Sequence, residues 1–305
     1  SELGLTPNLA LLFHAPTLSA FTAGCAALRV AETSDTAAYN PWQRITFRPG
    51  VKSDIYTFNH PFLYYRLAAE LPGPVGVHNI NLFGAGIDDT LRNLSFSELT
   101  DLAIARSEES TSGGPIALFG LCVNGNMAVE ISNRLRERGY DVPFTGIIDS
   151  WSTDARQFVS ESLAKRMRLA RRVKRAAYFA GKVSSGRMQP IAFMKQFNAT
   201  KRVMAMAGIK SGEDTPEEFM NGEITRLLME AAQTIERAPE LDASMRIFHS
   251  QSSHKAAREL NFGWKYLEGE EQPQIALKGW HEDSLTSDGI RDVAYEVMRS
   301  LFGSR

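Results

Sequence analysis

The residues best placed for covalent chemistry lie in one hexapeptide, Gly120-Leu121-Cys122-Val123-Asn124-Gly125. It follows an apolar run, Pro115-Ile116-Ala117-Leu118-Phe119, that reads as a buried strand, and it opens an amphipathic stretch, Val123 to Arg138, that reads as a helix. A tight strand-to-helix turn exposes one side chain above a sheet, the arrangement called a nucleophile elbow. Cys122 holds that place. A glycine before it avoids a clash with neighbouring strands. The N–H of Val123 would lie at the helix N-terminus, where it can donate to an oxyanion and where the dipole favours a thiolate. A small residue is usual two places after the nucleophile. Here it is Asn124, which tolerates unusual backbone angles better than most residues, and a glycine comes one place later. The competing reading of Cys122 is a small, inert core residue.

A thiol nucleophile needs a base, and the base needs an orienting acid. Asp149 ends the next apolar run, Phe144 to Ile148. His281 follows the last run, Gln274 to Leu277, within Lys278-Gly279-Trp280-His281. Both would project from the carboxyl edge of a parallel sheet, where such sheets bind ligands. His281 would take the thiol proton and Asp149 would hold the imidazole tautomer. His60, His78 and His254 are competing bases, and Asp154 and Asp283 are competing acids.

The elements that must position these groups alternate. Ile55 to Phe58, Pro74 to Leu82, Pro115 to Phe119 and Phe144 to Ile148 read as strands. Phe62 to Leu71, Phe96 to Ser107 and Val123 to Arg138 read as helices. Such alternation gives a mainly parallel sheet with helices on both faces. Residues 151–240 break the rhythm. They are helical in pattern with no convincing strand, and are expected to form a lid over Cys122. Met245 to Phe248 and Gln274 to Leu277 restore two strands, and Ile290 to Phe302 closes the chain as a helix. Residues 30–52 read as a linker, with Pro41 and Pro49-Gly50 as punctuation.

Composition narrows the function class. The 305 residues carry a net charge of −1, which argues against a general nucleic-acid binder, and 43% are hydrophobic, enough for a sizeable core. No apolar run is long enough to span a membrane. Ser1-Glu2-Leu3-Gly4 lacks the basic and apolar regions of a secretory leader. Two cysteines, Cys25 and Cys122, make no disulfide framework, and the six histidines are scattered with no metal-ligand spacing. A cytoplasmic, monomeric domain with reduced thiols, no metal and no membrane or nucleic-acid partner is expected. The basic runs Lys165-Arg166-Met167-Arg168 and Arg171-Arg172-Val173-Lys174-Arg175 read as a solvated helix, or as a docking face for an acidic partner domain or a phosphate group.

Together these features resemble the terminal thioesterase domains of modular peptide and polyketide synthetases. Ile45 to Gly50 is similar to that family's opening segment. Ile55 to Ala69 resembles its first core strand, oxyanion loop and helix, and Pro115 to Ser150 its elbow, long helix and acid-bearing strand. Asn261-Phe262-Gly263-Trp264 and Gly279-Trp280-His281 match its last landmarks. The resemblance implies an α/β-hydrolase fold over residues 53–305 with a helical lid at about 151–240. Cys122 is then the nucleophile, Asp149 the acid and His281 the base, and the amides of Val123 and Phe62 form the oxyanion hole. Two departures stand out: cysteine replaces the usual serine, and the glycine-rich stretch of the oxyanion loop is missing after Asn59-His60-Pro61. Residues 1–28, with Leu11 to Leu18 as the signature phrase, resemble the last helices of a peptidyl or acyl carrier domain, joined by a linker over 29–52. The implied partners are that carrier in cis and its acyl or peptidyl cargo. The phosphopantetheine belongs to the carrier, on a serine upstream of Ser1, and the thioesterase itself needs no cofactor.

The cysteine has an energetic meaning. Transfer from pantetheine to serine gives an oxoester and discards activation, whereas transfer to cysteine keeps a thioester. The retained activation can drive closure of a strained ring, and cysteine variants of this family are associated with four-membered β-lactams or β-lactones. Hydrolytic or macrocyclising release is the alternative. A non-catalytic carrier-binding module and a stand-alone esterase or editing thioesterase are the rival readings.

Overall fold

The computed structural model describes residues 44–83, 89–157, 159–189, 216–235, 238–281, 283–285 and 288–303. The carrier-like segment 1–28, most of the expected linker and part of the expected lid lie outside the described residues.

Seven strands form one sheet: β1 (Arg44–Arg48), β2 (Ser53–Phe58), β3 (Val75–Ile80), β4 (Ile116–Leu121), β5 (Phe144–Ile148), β6 (Met245–His249) and β7 (Ile275–Ala276). Their spatial order is β1-β3-β2-β4-β5-β6-β7. β1 pairs antiparallel with β3 and every other pair is parallel. The helices are α1 (Leu67–Glu70), α2 (Asp89–Arg92), α3 (Phe96–Glu108), α4 (Val123–Glu137), α5 (Glu161–Ser184), α6 (Pro216–Ala232), α7 (Lys255–Glu259) and α8 (Gly289–Phe302).

Strand alternation sorts the core into two layers. Tyr56, Phe58, Ile80 and Leu118 meet Phe96, Leu99, Met127 and Ile131 of α3 and α4, with Leu228 of α6. Ile55, Val77, Ala117 and Phe119 meet Leu67 of α1 and Ile290, Val293 and Val297 of α8. β4 is therefore buried on both faces, the condition that explains its unbroken apolar run. α3 begins with a reciprocal cap, Ser95 bonding the N–H of Glu98 while Glu98 bonds the N–H of Ser95. This is the mainly parallel, helix-covered sheet of an α/β-hydrolase. Between β5 and β6 the described residues hold helices and no strand.

Three boundaries differ from the sequence reading. Residues 44–48, placed in the linker 29–52, form the edge strand β1. The strand is anchored by side chains: Thr46 Oγ1 bonds His78 Nδ1 at 3.0 Å, and the Arg48 guanidinium donates to the carbonyls of Ala68, Leu71 and Val75. The expected helix Phe62 to Leu71 is a 3-10 turn, Pro61–Leu63, followed by the single turn of α1. The break buries Tyr64, whose hydroxyl accepts the N–H of Leu121 at 3.2 Å. The last strand shrinks to Ile275–Ala276.

Beneath the sheet edge lies a buried polar pair. Asp54 Oδ1 sits 3.0 Å from His78 Nε2, both side chains are nearly inaccessible, and Asp54 Oδ2 accepts the N–H of Ser112 at 2.5 Å. Gly76 makes room for it, since a Cβ there would stand 2.2 Å from Asp54 Oδ1. Burial pushes the Asp54 carboxyl up, but the bonds to His78 and Ser112 outweigh it and hold the pKa below the ordinary value. Its stabilisation is thus present above the unfolded carboxyl pKa, about 3.9, and is lost as pH falls through the lower folded value. Asp54→Asn should cost about 1–3 kcal/mol at pH 7, and its deficit against wild type should shrink at pH 3, as read by urea unfolding at both values.

Candidate active site

The end of β4 makes the sharpest turn in the sheet. Cys122 takes φ 57° and ψ −131°, its N–H bonds the carbonyl of Ile148 at 2.9 Å, and its carbonyl accepts the N–H of Gly125 at 2.9 Å. A non-glycine residue at positive φ is strained by about 1–3 kcal/mol. The two flanking glycines make the turn feasible. A Cβ on Gly120 would lie 2.2 Å from the carbonyl oxygen of Asn124, so the close neighbour is the first turn of α4 and not an adjacent strand. A Cβ on Gly125 would lie 2.4 Å from Ser150 Oγ.

Asn124 does not use its tolerance for unusual angles, because its backbone is helical and only Cys122 turns at positive φ in this segment. Its side chain is what matters. Buried Asn124 accepts a 2.8 Å hydrogen bond from Asn59 Nδ2, and Asn59 Oδ1 in turn accepts the N–H of Leu82. Asn59 and His60 both adopt positive φ after β2. The short loop that lacks a glycine-rich stretch is therefore tied directly to the elbow. Two places on, Asn126 donates to the carbonyl of Trp151 at 2.9 Å.

Asp149 also leaves its strand at positive φ (45°), and its N–H bonds the carbonyl of Phe248 at 3.0 Å. Its carboxylate is fully engaged. His281 Nδ1 lies 2.9 Å from Oδ2, the N–H of Ser250 donates to Oδ1 at 2.9 Å, Ser250 Oγ donates to Oδ2 at 2.5 Å, and Ser253 Oγ donates to Oδ1. His281 and the N–H of Val123 both interact with the Cys122 sulfur and favour its ionised form. Cys122, Asp149 and His281 thus meet on one cavity, with His281 bonded to Asp149 and interacting with the Cys122 sulfur.

The charges follow from this geometry. Burial opposes ionisation of Asp149, yet His281, Ser250 and Ser253 hold its pKa below the usual carboxylate range. Burial also disfavours a charged His281, but Asp149 and Cys122 outweigh it and push the imidazole up to about 10. Burial raises the Cys122 thiol, whereas the His281 contact and the Val123 N–H bring it below its ordinary value. Both shifts run in the direction of a thiolate–imidazolium pair beside an anionic Asp149.

Four of the other candidates have partners of their own, although His254 also lines the Cys122 cavity. His78 pairs with Asp54. His254 caps α7 by accepting the N–H of Ala256. Asp154 accepts the N–H of Ala238, and Asp283 binds Tyr178 and Lys182. Phe62 sits in the Pro61–Leu63 turn at the carboxyl end of β2, beside β4. Ser250, Ser253, Asn59 and Asn126 escape a reading by residue type. The signal available for the serines is the polar run Ser250-Gln251-Ser252-Ser253 directly after a strand at the same sheet edge.

A cavity of about 720 Å³ opens on the sulfur, with Trp151, Val159, Met167 and Phe262 among its walls and Arg168 and Arg171 of α5 at its side. That size suits a small-molecule or extended-chain ligand. Among the described residues no group of His, Cys, Asp and Glu could hold a metal, and no helix is long and apolar enough to cross a membrane.

The paired charges set a measurable pH profile. A thiol of ordinary pKa, about 8.5, is only about 1% thiolate at pH 6.5. Alkylation of Cys122 by iodoacetamide, followed by peptide mass spectrometry, should remain fast at pH 6.5 in the wild type. It should fall by roughly tenfold or more in His281→Ala, whose profile should move to alkaline pH.

Comparison with known proteins is consistent with this architecture. The family model described as Thioesterase domain matches residues 61–239, more than half of the chain and a span that includes Cys122 and Asp149 but ends before His281. A sequence search of curated proteins found no match. Among solved structures, the holo four-domain nonribosomal peptide synthetase AB3403, bound to AMP and glycine, superposes with a TM-score of 0.59 at 19% identity. That match covers 97% of this chain and 22% of the synthetase, so the chain spans about a fifth of that protein's length. The Vlm2 thioesterase domain bearing genetically encoded 2,3-diaminopropionic acid, bound with a dodecadepsipeptide, gives 0.53 at 18% identity over 85% of this chain and 98% of that one. The NocB thioesterase domain in covalent complex with a fluorophosphonate nocardicin G analogue gives 0.50 at 17% over 83% and 95%. At these identities the superpositions speak to the fold.

Proposed function

The chain belongs to the Thioesterase domain family, and from that premise we propose that it takes an acyl or peptidyl chain from a carrier-bound phosphopantetheine thioester onto Cys122 and releases it by intramolecular cyclisation. The observation that carries this reading is the meeting of Cys122, His281 and Asp149 on one mostly apolar cavity at a strained elbow, with His281 bonded to Asp149.

In the first half-reaction His281 holds the thiol proton, and the Cys122 thiolate attacks the thioester carbonyl. The N–H of Val123, with that of Phe62 from the neighbouring loop, stabilises the tetrahedral oxyanion. His281 then protonates the departing sulfur as its bond to carbon breaks. In the second half-reaction His281 accepts a proton from an amine or hydroxyl of the bound chain while that group attacks the Cys122 thioester. The carbon–sulfur bond breaks and the Cys122 thiolate re-forms beside the imidazolium. Asp149 stays anionic throughout, because every oxygen it presents is already held by donors. The apolar walls exclude the water that would otherwise compete.

The thioester at Cys122 retains the activation of the incoming bond, which favours closure of a four-membered β-lactam or β-lactone. The carrier in cis, the synthetase context and the lid role of residues 151–240 are parts of the same proposal. Cytoplasmic location and a monomeric domain are also part of it.

Three proteins test the reading with one carrier-bound substrate and product analysis by mass spectrometry. Wild type should release ring. Cys122→Ser should load but release mainly linear acid, slowly. Cys122→Ala should neither load nor release. Equal turnover of wild type and the serine variant to linear acid would assign hydrolysis instead, and loading of the alanine variant would remove Cys122 as nucleophile.

A further inference from the structure

Asp283 lies two residues beyond His281, and its bonds join two elements. Its carboxylate accepts the N–H of Trp280 at 2.5 Å and its own N–H donates to the carbonyl of Trp280 at 3.0 Å, closing the turn that carries His281. The same carboxylate reaches α5. Tyr178 Oη lies 2.9 Å from Oδ2 and 3.2 Å from Oδ1, and Lys182 Nζ pairs with Oδ2. Tyr178 and Lys182 are one helical turn apart, so they share a face. The Tyr178 ring packs 5.5 Å from that of Trp280, and Lys182 Nζ stands 4.9 Å over the Tyr178 ring. The ion-paired side chains are only 28% and 19% exposed, which sets them apart from a solvated surface pair.

The other half of α5 faces the substrate cavity through Ala164, Met167, Arg168 and Arg171. Of the whole helix only Phe179 is fully buried, next to Tyr178. The helix is a rod whose cavity-lining turn and His281-holding turn are about 16 Å apart. Because one end of the helix is bonded to the turn carrying the base, a shift of the helix along its axis, or a rotation about it, is passed to those bonds.

We propose that Asp283, Tyr178 and Lys182 form a latch through which the position of α5 sets the position of the His281 ring. They are positioning residues, distant from the reacting atoms. The proposal rests on the reading of Cys122 and His281 as the reacting pair. A chain that seats in the cavity and presses α5 into its latched place would thereby align the base, and one that displaces the helix would misalign it.

The test uses the full chain and the pH profile of Cys122 alkylation. The double variant Tyr178→Phe/Lys182→Met keeps a ring against Trp280 and leaves the Asp283 bond to the Trp280 N–H intact. Its alkylation at pH 6.5 should fall about threefold or more from wild type, its profile should shift to higher pH, and its circular dichroism should be unchanged. Lys182→Arg, which preserves the ion pair, should retain the wild-type profile. Should the double variant not fold, Tyr178→Phe alone, which deletes one oxygen, should show the same direction of shift. A profile of the folded variants that superimposes on wild type, with His281→Ala well below both, overturns the latch alone. A wild-type profile that superimposes on His281→Ala overturns the reacting pair, and the latch with it.

Discussion

The parallel register of β4, β5 and β6 is the constraint on which the site depends. Leu121 stands opposite Ile148, and Ile148 opposite Phe248, so the next residue of β4 and of β5 reaches the sheet edge at the same level. The ladder extends one bond past each strand, through the N–H of Cys122 and the N–H of Asp149. At that level both residues swing to positive φ and lift their side chains off the edge. One residue of slippage would invert every side chain and turn Cys122 or Asp149 into the core. Phe248 packs edge-to-face on Phe119 and Phe144, whose rings lie parallel, and these large buried side chains resist such slippage.

The parts legible in the sequence are those written in local pattern. Buried β4 announces itself as an apolar run. The elbow announces itself by glycines around Cys122, and Asp149 by its place directly after β5, whereas His281 stands a few residues beyond the short β7. The parts that were not legible depend on contacts between distant residues. β1 reads as linker because its attachment comes from Thr46 reaching His78 and Arg48 reaching three carbonyls, none of which a five-residue window contains. The helix expected over Phe62 to Leu71 fails because two left-handed residues and Pro61 redirect the chain to bury Tyr64 under Leu121. Asn124 reads as a backbone choice, yet its partner Asn59 lies on another strand's loop. Ser250 and Ser253 read as loop polarity until the fold brings them against Asp149.

Electrostatics divides the same way. Asp149 collects donors from β6's loop and from His281, so its charge is held without any lysine or arginine nearby among its bonded partners. Neutral hydroxyls and an amide fix the anion without adding an opposing charge, so the imidazole feels its attraction. The paired cation then lowers the thiol. Asp54 and His78 make a second buried carboxylate–imidazole contact in the same sheet, away from the Cys122 cavity.

The first turn of α4 has a consequence for exchange of parts between related scaffolds. Asn124 reaches one neighbouring loop at Asn59, and Asn126 reaches the other at Trp151. The hexapeptide around Cys122 is therefore no portable cassette. Moved alone into a host with a glycine-rich loop after the first core strand, it would arrive with a buried amide lacking its mate. The smallest transferable unit is a discontinuous set of three segments, the loop at Asn59, the elbow through Asn126 and the strand exit at Ser150-Trp151, and a chimera that respects those seams carries the local geometry with it.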